Sequence, residues 1–175
     1  MHLLQSFNTV VNRILCKILF VSFTCMVILT FMQVVFRYAI AQPLAWSEEL
    51  ARYMFVWATY LGASVAFYEN KHINATLFTD FIKSVRVKAG VMVIADILCL
   101  AFLAVFVYQG FIVSQRVFNL GQFSPSLPWL PVGIIYLAIP IGCLFMALNV
   151  LAYTIRHINS LTTGAALDAF NPDEI

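Results

Sequence analysis

Charge is what this sequence has least of. Only 10% of its 175 residues are Asp, Glu, Lys or Arg, whereas 62% are apolar. A soluble globular domain is about a quarter charged and about half apolar, so the composition excludes that class. The few Lys and Arg residues form no basic tract, and nucleic acid is therefore excluded as a partner.

Residues that bind metals or carry redox chemistry are also scarce. No two of the four cysteines form a Cys-x-x-Cys pair, which argues against a disulfide framework and a thiol-redox motif. None of the three histidines lies inside an apolar stretch, where a membrane haem would need its axial ligands. The sequence therefore predicts no catalytic residue, metal ligand or cofactor site, and the cysteines are interpreted as small packing residues.

Long uncharged stretches are abundant by contrast. Residues 18–36 and 117–155 contain no Asp, Glu, Lys or Arg. About twenty apolar residues in a helix cross the hydrocarbon layer of a membrane. The sequence predicts an all-α membrane protein with four transmembrane helices, at about 14–36, 50–67, 88–113 and 129–155. Together they form one domain over 1–157, with Pro140 kinking the fourth helix and a polar cytoplasmic tail at 158–175.

The segment 73–85 has a different pattern. Its apolar residues recur at helical spacing, and its polar residues fall on the opposite side. It is too short and too polar to cross a membrane. The pattern predicts a short amphipathic helix that lies in the membrane interface between the second and third spans.

The basic residues predict the orientation of the chain. Seven Lys and Arg residues flank the spans on the side of the N-terminus, the second loop and the C-terminus, and three flank the other side. Cytoplasmic loops carry the excess of positive charge. Both termini are therefore predicted to lie in the cytoplasm.

Charged and aromatic residues concentrate at the turn between the first two spans. Glu48 and Arg52 have the i, i+4 spacing of a helical ion pair, and Arg37 could reach Glu48 or Glu49 across the loop. Ser47 is a candidate N-cap. Two interpretations stay open: helix capping with interface anchoring, or a polar patch that docks a partner subunit. The turn cluster comprises Arg37, Trp46, Glu48, Glu49 and Arg52.

Two further features concern the interior of the spans. Ala58, Gly62 and Ala66 repeat every four residues, so another helix of this chain or of a partner could pack closely there. Asp96 is the single acid inside a predicted span, and an intramembrane carboxylate is a functional candidate because burying its charge is costly. It could make a polar contact in the bundle or to a partner, or handle ions or protons.

Several short motifs point to one family. They are Phe36-Arg37-Tyr38, Trp46-Ser47-Glu48-Glu49, Ala51-Arg52-Tyr53, Gly62-Ala63-Ser64 and His72-Ile73. With the four predicted spans, they resemble the small membrane subunit of tripartite ATP-independent periplasmic (TRAP) transporters. His72 belongs to the motif at the cytoplasmic end of the second span. The chain has Asn74 and Thr76 where members of the family usually carry an acid.

The resemblance implies a function that composition alone does not. Such transporters reside in the bacterial inner membrane and import organic acids such as sialic acid or C4-dicarboxylates, coupled to a sodium gradient. The implied partners are a periplasmic substrate-binding protein, a large multi-span permease subunit and membrane lipids. The small subunit is expected to brace the large one, which would hold the substrate and sodium sites.

Two alternatives remain at this point. The chain could be a self-sufficient small transporter that works as an oligomer and uses Asp96 on its substrate path. It could also be a membrane enzyme or redox subunit. That third hypothesis is the weakest, because the sequence has no paired histidines in its spans and no metal-ligand cluster.

Overall fold

The protein is described here by a computed structural model that covers residues 2–69 and 85–163. Within these ranges the chain is helical and contains no β-strand, as the sequence predicts. The helices are α1 (His2–Tyr38), α2 (Ala45–Glu69), α3 (Val85–Asn119), the single turn α4 (Gly133–Tyr136) and α5 (Ala138–Thr163).

Among residues 2–69 and 85–163, three stretches are long and apolar enough to cross a membrane. They are Asn8–Tyr38 in α1, Val87–Asn119 in α3, and Gly133–Asn159, which covers α4 and most of α5. Helix α2 has 25 residues and a length of about 37 Å at the standard helical rise. Its first two turns carry Glu48, Glu49 and Arg52, which lower its apolar character. The predicted second span is therefore helical but less apolar than the other three.

The helices extend beyond the predicted spans. Helix α1 begins at His2 rather than near residue 14, and α3 continues to Asn119. Helix α5 runs to Thr163, so the first six residues of the predicted tail, 158–163, are helical. The rest of that tail, His72 and the predicted interfacial helix lie outside the described residues, apart from Val85, which opens α3.

The predicted fourth span corresponds to the single turn α4 followed by α5. Proline has no N–H group, so Pro140 cannot donate the helical hydrogen bond to the carbonyl of Tyr136. Leu137, between α4 and α5, keeps right-handed helical dihedral angles, and its N–H donates to the Gly133 carbonyl at 3.2 Å. The Ile141 N–H donates to the Leu137 carbonyl, also at 3.2 Å. One helical hydrogen bond is therefore missing at Pro140, and the kink there stays a prediction.

Helix α5 lies at the centre of the bundle, with α2 and α3 packed against it and α1 packed mainly against α2. One apolar cluster is formed by Leu15, Leu61 and Val65, and Ile141 and Phe145 of α5 pack onto it. The second cluster joins α3 to α5 and consists of Leu103, Cys143 and Val150. Because α5 contributes to both clusters, it connects the two halves of the core.

Glycines allow the central helix to approach its neighbours. A Cβ atom placed on Gly142 would lie 2.6 Å from the Cβ of Tyr60 and 3.0 Å from the Tyr60 backbone. One on Gly110 of α3 would lie 2.9 Å from the Pro140 ring. Both distances are shorter than carbon atoms tolerate, so α5 contacts α2 and α3 at positions where a side chain does not fit.

The two ends of the bundle differ. The terminus end holds the start of α1, the start of α3 and the end of α5. The loop end holds the turn between α1 and α2 and the segment 120–132. That segment folds back on itself, since the Ser124 N–H donates to the Leu130 carbonyl and the Val132 N–H to the Gln122 carbonyl. Gly121, with φ of 61°, starts it in the left-handed conformation that glycine adopts without strain.

Candidate functional site

The half of the bundle nearer the terminus end contains a buried amide network. The Asn149 amide group of α5 donates to the Ser64 carbonyl of α2 at 3.1 Å. Its oxygen accepts a hydrogen bond from the Asn12 amide of α1, also at 3.1 Å. All three residues are at least 98% buried. One asparagine therefore joins α1, α2 and α5 in an apolar interior, where an unpaired amide would be costly.

An acid–histidine pair joins α3 to α5 nearer the terminus end. The Nδ1 atom of His157 lies 2.6 Å from an Asp96 carboxylate oxygen. The His157 side chain is 6% exposed and that of Asp96 is 18% exposed. Asp96, the isolated intramembrane acid of the sequence, thus makes a polar contact within the bundle. This contact links α3 to α5.

Sequence reasoning missed His157 and Asn149. The predicted fourth span ended at 155, which left His157 outside the membrane and without an assigned partner. Asn149, Tyr153 and His157 in fact occupy positions i, i+4 and i+8 of α5, and so lie on one helix face. Tyr153 also bonds α2, through its hydroxyl and the Tyr68 carbonyl at 3.2 Å. A polar stripe at this spacing in an apolar helix was the available signal.

At the loop end, Glu49 connects α2 to the segment 120–132. Its carboxylate accepts hydrogen bonds from the Tyr53 hydroxyl, one turn along α2, and from the Ser126 N–H at 3.0 Å. The Tyr53 hydrogen bond is the main cause that lowers the pKa of Glu49 to about 2, burial opposes it, and Ser124 and Ser126 lower it further. Glu49 is therefore ionised at neutral pH and links α2 to the segment that precedes α4.

The rest of the turn cluster is exposed. The predicted Glu48–Arg52 ion pair is present, with a nitrogen–oxygen distance of 3.2 Å. Arg37 forms no ion pair with Glu48 or Glu49 among the described residues, and Glu49 bonds Tyr53 and Ser126 instead. Trp46 is exposed as well. An anchoring role and a docking role both fit this exposure.

The N-cap prediction for Ser47 is wrong. Helix α2 begins at Ala45, two residues earlier. The Ser47 side chain is buried and its hydroxyl donates to the Leu44 carbonyl at 2.9 Å, whereas an N-cap oxygen accepts from a backbone N–H. Ser47 thus stabilises the entry into α2 as a donor.

The small-residue stripe of α2 lies on its α1 side. A Cβ atom on Gly62 would be 3.9 Å from Leu19, an ordinary van der Waals distance, and Ala66 is exposed. Ala58 lines an apolar groove of about 420 Å³ between α1 and α2, whose other walls come from Leu19, Phe20, Phe23, Met26, Phe55 and Thr59. Of the two glycines at contacts of α2, Gly142 of α5 has less space for a side chain than Gly62.

The described residues contain no group of three His, Cys, Asp or Glu side chains that could hold a metal ion. Asn149, Asp96, His157 and Glu49 each contact another helix or the segment 120–132. These side chains fix the relative positions of the helices. In structural terms, the arrangement is a set of interhelical contacts, of which the Asp96–His157 pair joins α3 to α5.

Comparison with known proteins gives a consistent result. Residues 26–160 match the family model described as "Tripartite ATP-independent periplasmic transporters, DctQ component". A protein of Haemophilus influenzae named as a TRAP transporter small permease is 31% identical, over 78% of this chain and 82% of its own length. The sialic acid small permease protein SiaQ of Vibrio cholerae is 27% identical, over 63% of this chain and 61% of its own length.

A third relative differs in size. The isethionate TRAP transporter permease protein DctMQ of Oleidesulfovibrio alaskensis is 31% identical over 63% of this chain. The match covers 17% of that relative. A segment similar to this chain is thus a minor part of a much longer permease there.

Proposed function

The chain belongs to the DctQ family of TRAP transporter components, and we propose that it is the small permease subunit of a sodium-coupled importer of an organic acid. In this proposal it acts as a scaffold for a large multi-span permease subunit. The observation that carries the proposal is the low burial of its spans. Only 6% of the most apolar stretch of α1 and 11% of that of α3 are buried within the chain.

The low burial supports a partner in the membrane. Apolar side chains on the outer faces of α1 and α3, such as Phe23, Phe31 and Phe102, are exposed. Lipid can cover these faces, and so can the helices of a larger subunit. The long DctMQ relative, in which a similar segment is part of a much longer permease, favours a large permease as that partner.

The proposed topology has four spans with both termini in the cytoplasm of a bacterium, across its inner membrane. Helix α2 is the fourth span, because it is long enough and is packed between α1 and α5. The excess of basic residues at the terminus end supports this orientation. Reporter domains fused after residues 120 and 175 test it: the first is expected to be periplasmic and the second cytoplasmic.

The substrate is proposed to be sialic acid or a C4-dicarboxylate. The names of two relatives refer to sialic acid and to isethionate, although both are similar to this chain. Because transporter proteins named for different substrates resemble this chain, the resemblance does not require the small subunit to contact the substrate. We therefore place the substrate and sodium sites on the large subunit, with a periplasmic binding protein as the carrier of substrate.

Reconstitution tests this proposal. Proteoliposomes containing this chain and its large permease, with the binding protein outside, are expected to accumulate substrate only under an inward sodium gradient. Vesicles with an equal potassium gradient, and vesicles lacking the large permease, are the matched controls. Accumulation by vesicles that contain this chain alone would refute the scaffold role.

The turn cluster offers a second test. Arg37, Trp46, Glu48 and Arg52 are exposed at the loop end, and we propose that they contact the large subunit. Charge reversal at Arg37 or Glu48 is expected to reduce copurification of the large permease before it changes substrate affinity. A variant that assembles normally but raises the substrate KM would contradict a structural role for this cluster.

One observation favours the alternative of a self-sufficient transporter. The Asp96–His157 pair is largely buried and could exchange a proton. Vesicles containing only this chain would then transport substrate, and Asp96→Asn would abolish that transport. If only the complete system transports and Asp96→Asn keeps its activity, the pair is structural.

A further inference from the structure

A groove at the loop end of α3 combines polar and apolar walls. It has a volume of about 390 Å³ and is lined by Ile112, Gln115, Arg116, Asn119 and Leu120. The first four residues are spaced i, i+3, i+4 and i+7, so they form one stripe on the helix. The groove extends over about two turns, or roughly 12 Å.

The stripe faces away from the rest of the chain. The opposite face of α3 contacts α4 and α5, because the Ser114 hydroxyl donates to the Gly133 carbonyl at 2.9 Å and Phe118 lies against Gly133. At 100° per residue, the stripe is centred about 150° around the helix from Ser114. It therefore faces the surrounding membrane.

The groove lies at the end of the candidate span of α3, Val87–Asn119. A helix of 33 residues is about 50 Å long, whereas the hydrocarbon layer is about 30 Å thick, so the end of α3 that carries Arg116 can reach the headgroups. In the segment that follows, Phe123 is 57% exposed and Trp129 is 70% exposed. Aromatic side chains are enriched at this depth, where the headgroups meet the acyl chains.

No carboxylate in the part of the chain that the structure describes neutralises the charge of the groove. Within residues 2–69 and 85–163, Arg116 forms no ion pair with a carboxylate. A guanidinium group binds phosphate oxygens in a bidentate manner, and the amide groups of Gln115 and Asn119 add N–H donors on either side. We propose that this groove binds the phosphate of an anionic phospholipid, with one acyl chain lying along Ile112. The inference goes beyond the transport role and does not depend on it.

Lipid retention by the purified full-length chain tests the proposal. Native mass spectrometry in neutral detergent, with equal amounts of phosphatidylglycerol and phosphatidylcholine, is expected to show preferential binding of phosphatidylglycerol. Arg116→Gln should weaken the association constant for phosphatidylglycerol about five-fold, the value expected for one arginine at a lipid surface. Arg116→Lys keeps the charge but loses the bidentate geometry, so its binding should fall between that of the unchanged chain and that of Arg116→Gln.

Arg37→Gln is the matched control, because it removes the same charge from the same end of the bundle but outside the groove. Equal losses in the Arg37→Gln and Arg116→Gln variants would overturn the proposal, as would equal binding of the two lipids by the unchanged chain. Should Arg116→Gln fail to fold, the double change Gln115→Leu, Asn119→Leu provides the same comparison and is expected to lose binding.

Two further outcomes separate other ligands. Inorganic phosphate in large excess is expected not to displace phosphatidylglycerol, and displacement would indicate a site for free phosphate, contrary to the proposal. If Arg116→Gln leaves lipid binding unchanged but weakens copurification of the large permease, the groove is a protein contact and the proposal is wrong.

Discussion

Helices α1 and α5 both contain long apolar stretches, but α1 lies at the periphery of the bundle and α5 at its centre. In the most apolar stretch of α1, 6% of the residues are buried, compared with 39% in the stretch that includes α5. The difference comes from a few residues that are not apolar. Helix α5 has Gly142 for close contact and Asn149 and His157 for polar contacts. In the second half of α1, residues 20–38, no described side chain forms a hydrogen bond to another helix. Hydropathy thus identifies a helix as a candidate span, and its few glycine and polar residues determine whether it lies at the centre or at the periphery of the bundle.

The largest effect is expected from a change that disturbs the close contact between Gly142 of α5 and Tyr60 of α2. Gly142→Ala is expected to destabilise the protein by about 1–3 kcal/mol, because the added methyl group would press on the backbone of Tyr60. Gly62→Ala is the matched control on α2, where the methyl group would be 3.9 Å from Leu19. Thermal unfolding in detergent measures both. Equal melting temperatures for the two variants would contradict the central position of α5.

The second prediction removes the amide network. Asn149→Leu is expected to cost about 1–2 kcal/mol, the upper part of the range for hydrogen bonds between membrane helices. Thr24→Val in α1 is the control, since the Thr24 hydroxyl bonds only the Phe20 carbonyl of its own helix. Thermal unfolding of both variants is the measurement. An equal loss of stability in Thr24→Val would show that the polar contacts of α5 contribute no more to stability than those of α1.

The third prediction concerns the contact between α3 and α5. Asp96→Asn, His157→Gln and the double variant form a cycle from which the coupling energy follows. We expect a coupling of roughly 0.5–1 kcal/mol in the unfolding free energy, because the two side chains are 2.6 Å apart and largely buried. A coupling near zero would mean that the contact does not help to hold α5 in the centre.

The smallest expected effect is at the loop end, where Glu49 ties α2 to the segment before α4. Glu49→Gln should lower the melting temperature at pH 7 by less than the changes above. The pKa of Glu49 is lowered from 4.5 to about 2, so its stabilising effect is complete above pH 4.5 and is lost as the pH falls toward 2. The difference between the unchanged chain and Glu49→Gln should narrow over that range.

Glu48→Gln is the control for this pH series. Glu48 lies in the same helical turn, but its ion pair with Arg52 is exposed and should contribute little. Its melting temperature should follow that of the unchanged chain at every pH. A pH-dependent difference of equal size for both variants would contradict the specific role of Glu49.

The sequence predicts the helical class and the approximate places of the long helices, since both follow from apolar runs and turn residues. The predicted spans are shorter than the helices that contain them, since α1 begins at His2 and α5 ends at Thr163. Asn8 and Asn12 look like residues outside a membrane, and the partner of Asn12, Asn149, is not visible from local sequence. The contact of His157 with Asp96 of another helix is not visible from local sequence either.

For the site residues too, local sequence predicts contacts within one helix but not contacts between distant segments. The Glu48–Arg52 pair is local, so its spacing was sufficient to predict it. The contact between Glu49 and Ser126 joins residues 77 positions apart, and no periodicity in either segment indicates it. The repeat at Ala58 and Gly62 predicts close packing by a helix of this chain or of a partner, and that stays a prediction. The close contact of Gly142 with Tyr60 joins residues far apart in the sequence, and local sequence does not indicate it.

The amide network has a consequence for the biogenesis of the protein. Asn12 and Asn149 are 137 residues apart, so α1 leaves the ribosome long before α5 is made. At usual rates of synthesis the delay is on the order of ten seconds. During that time the insertion machinery has to keep the polar start of α1 near water or protein. A helix that is synthesised later thus completes the attachment of one that is synthesised earlier.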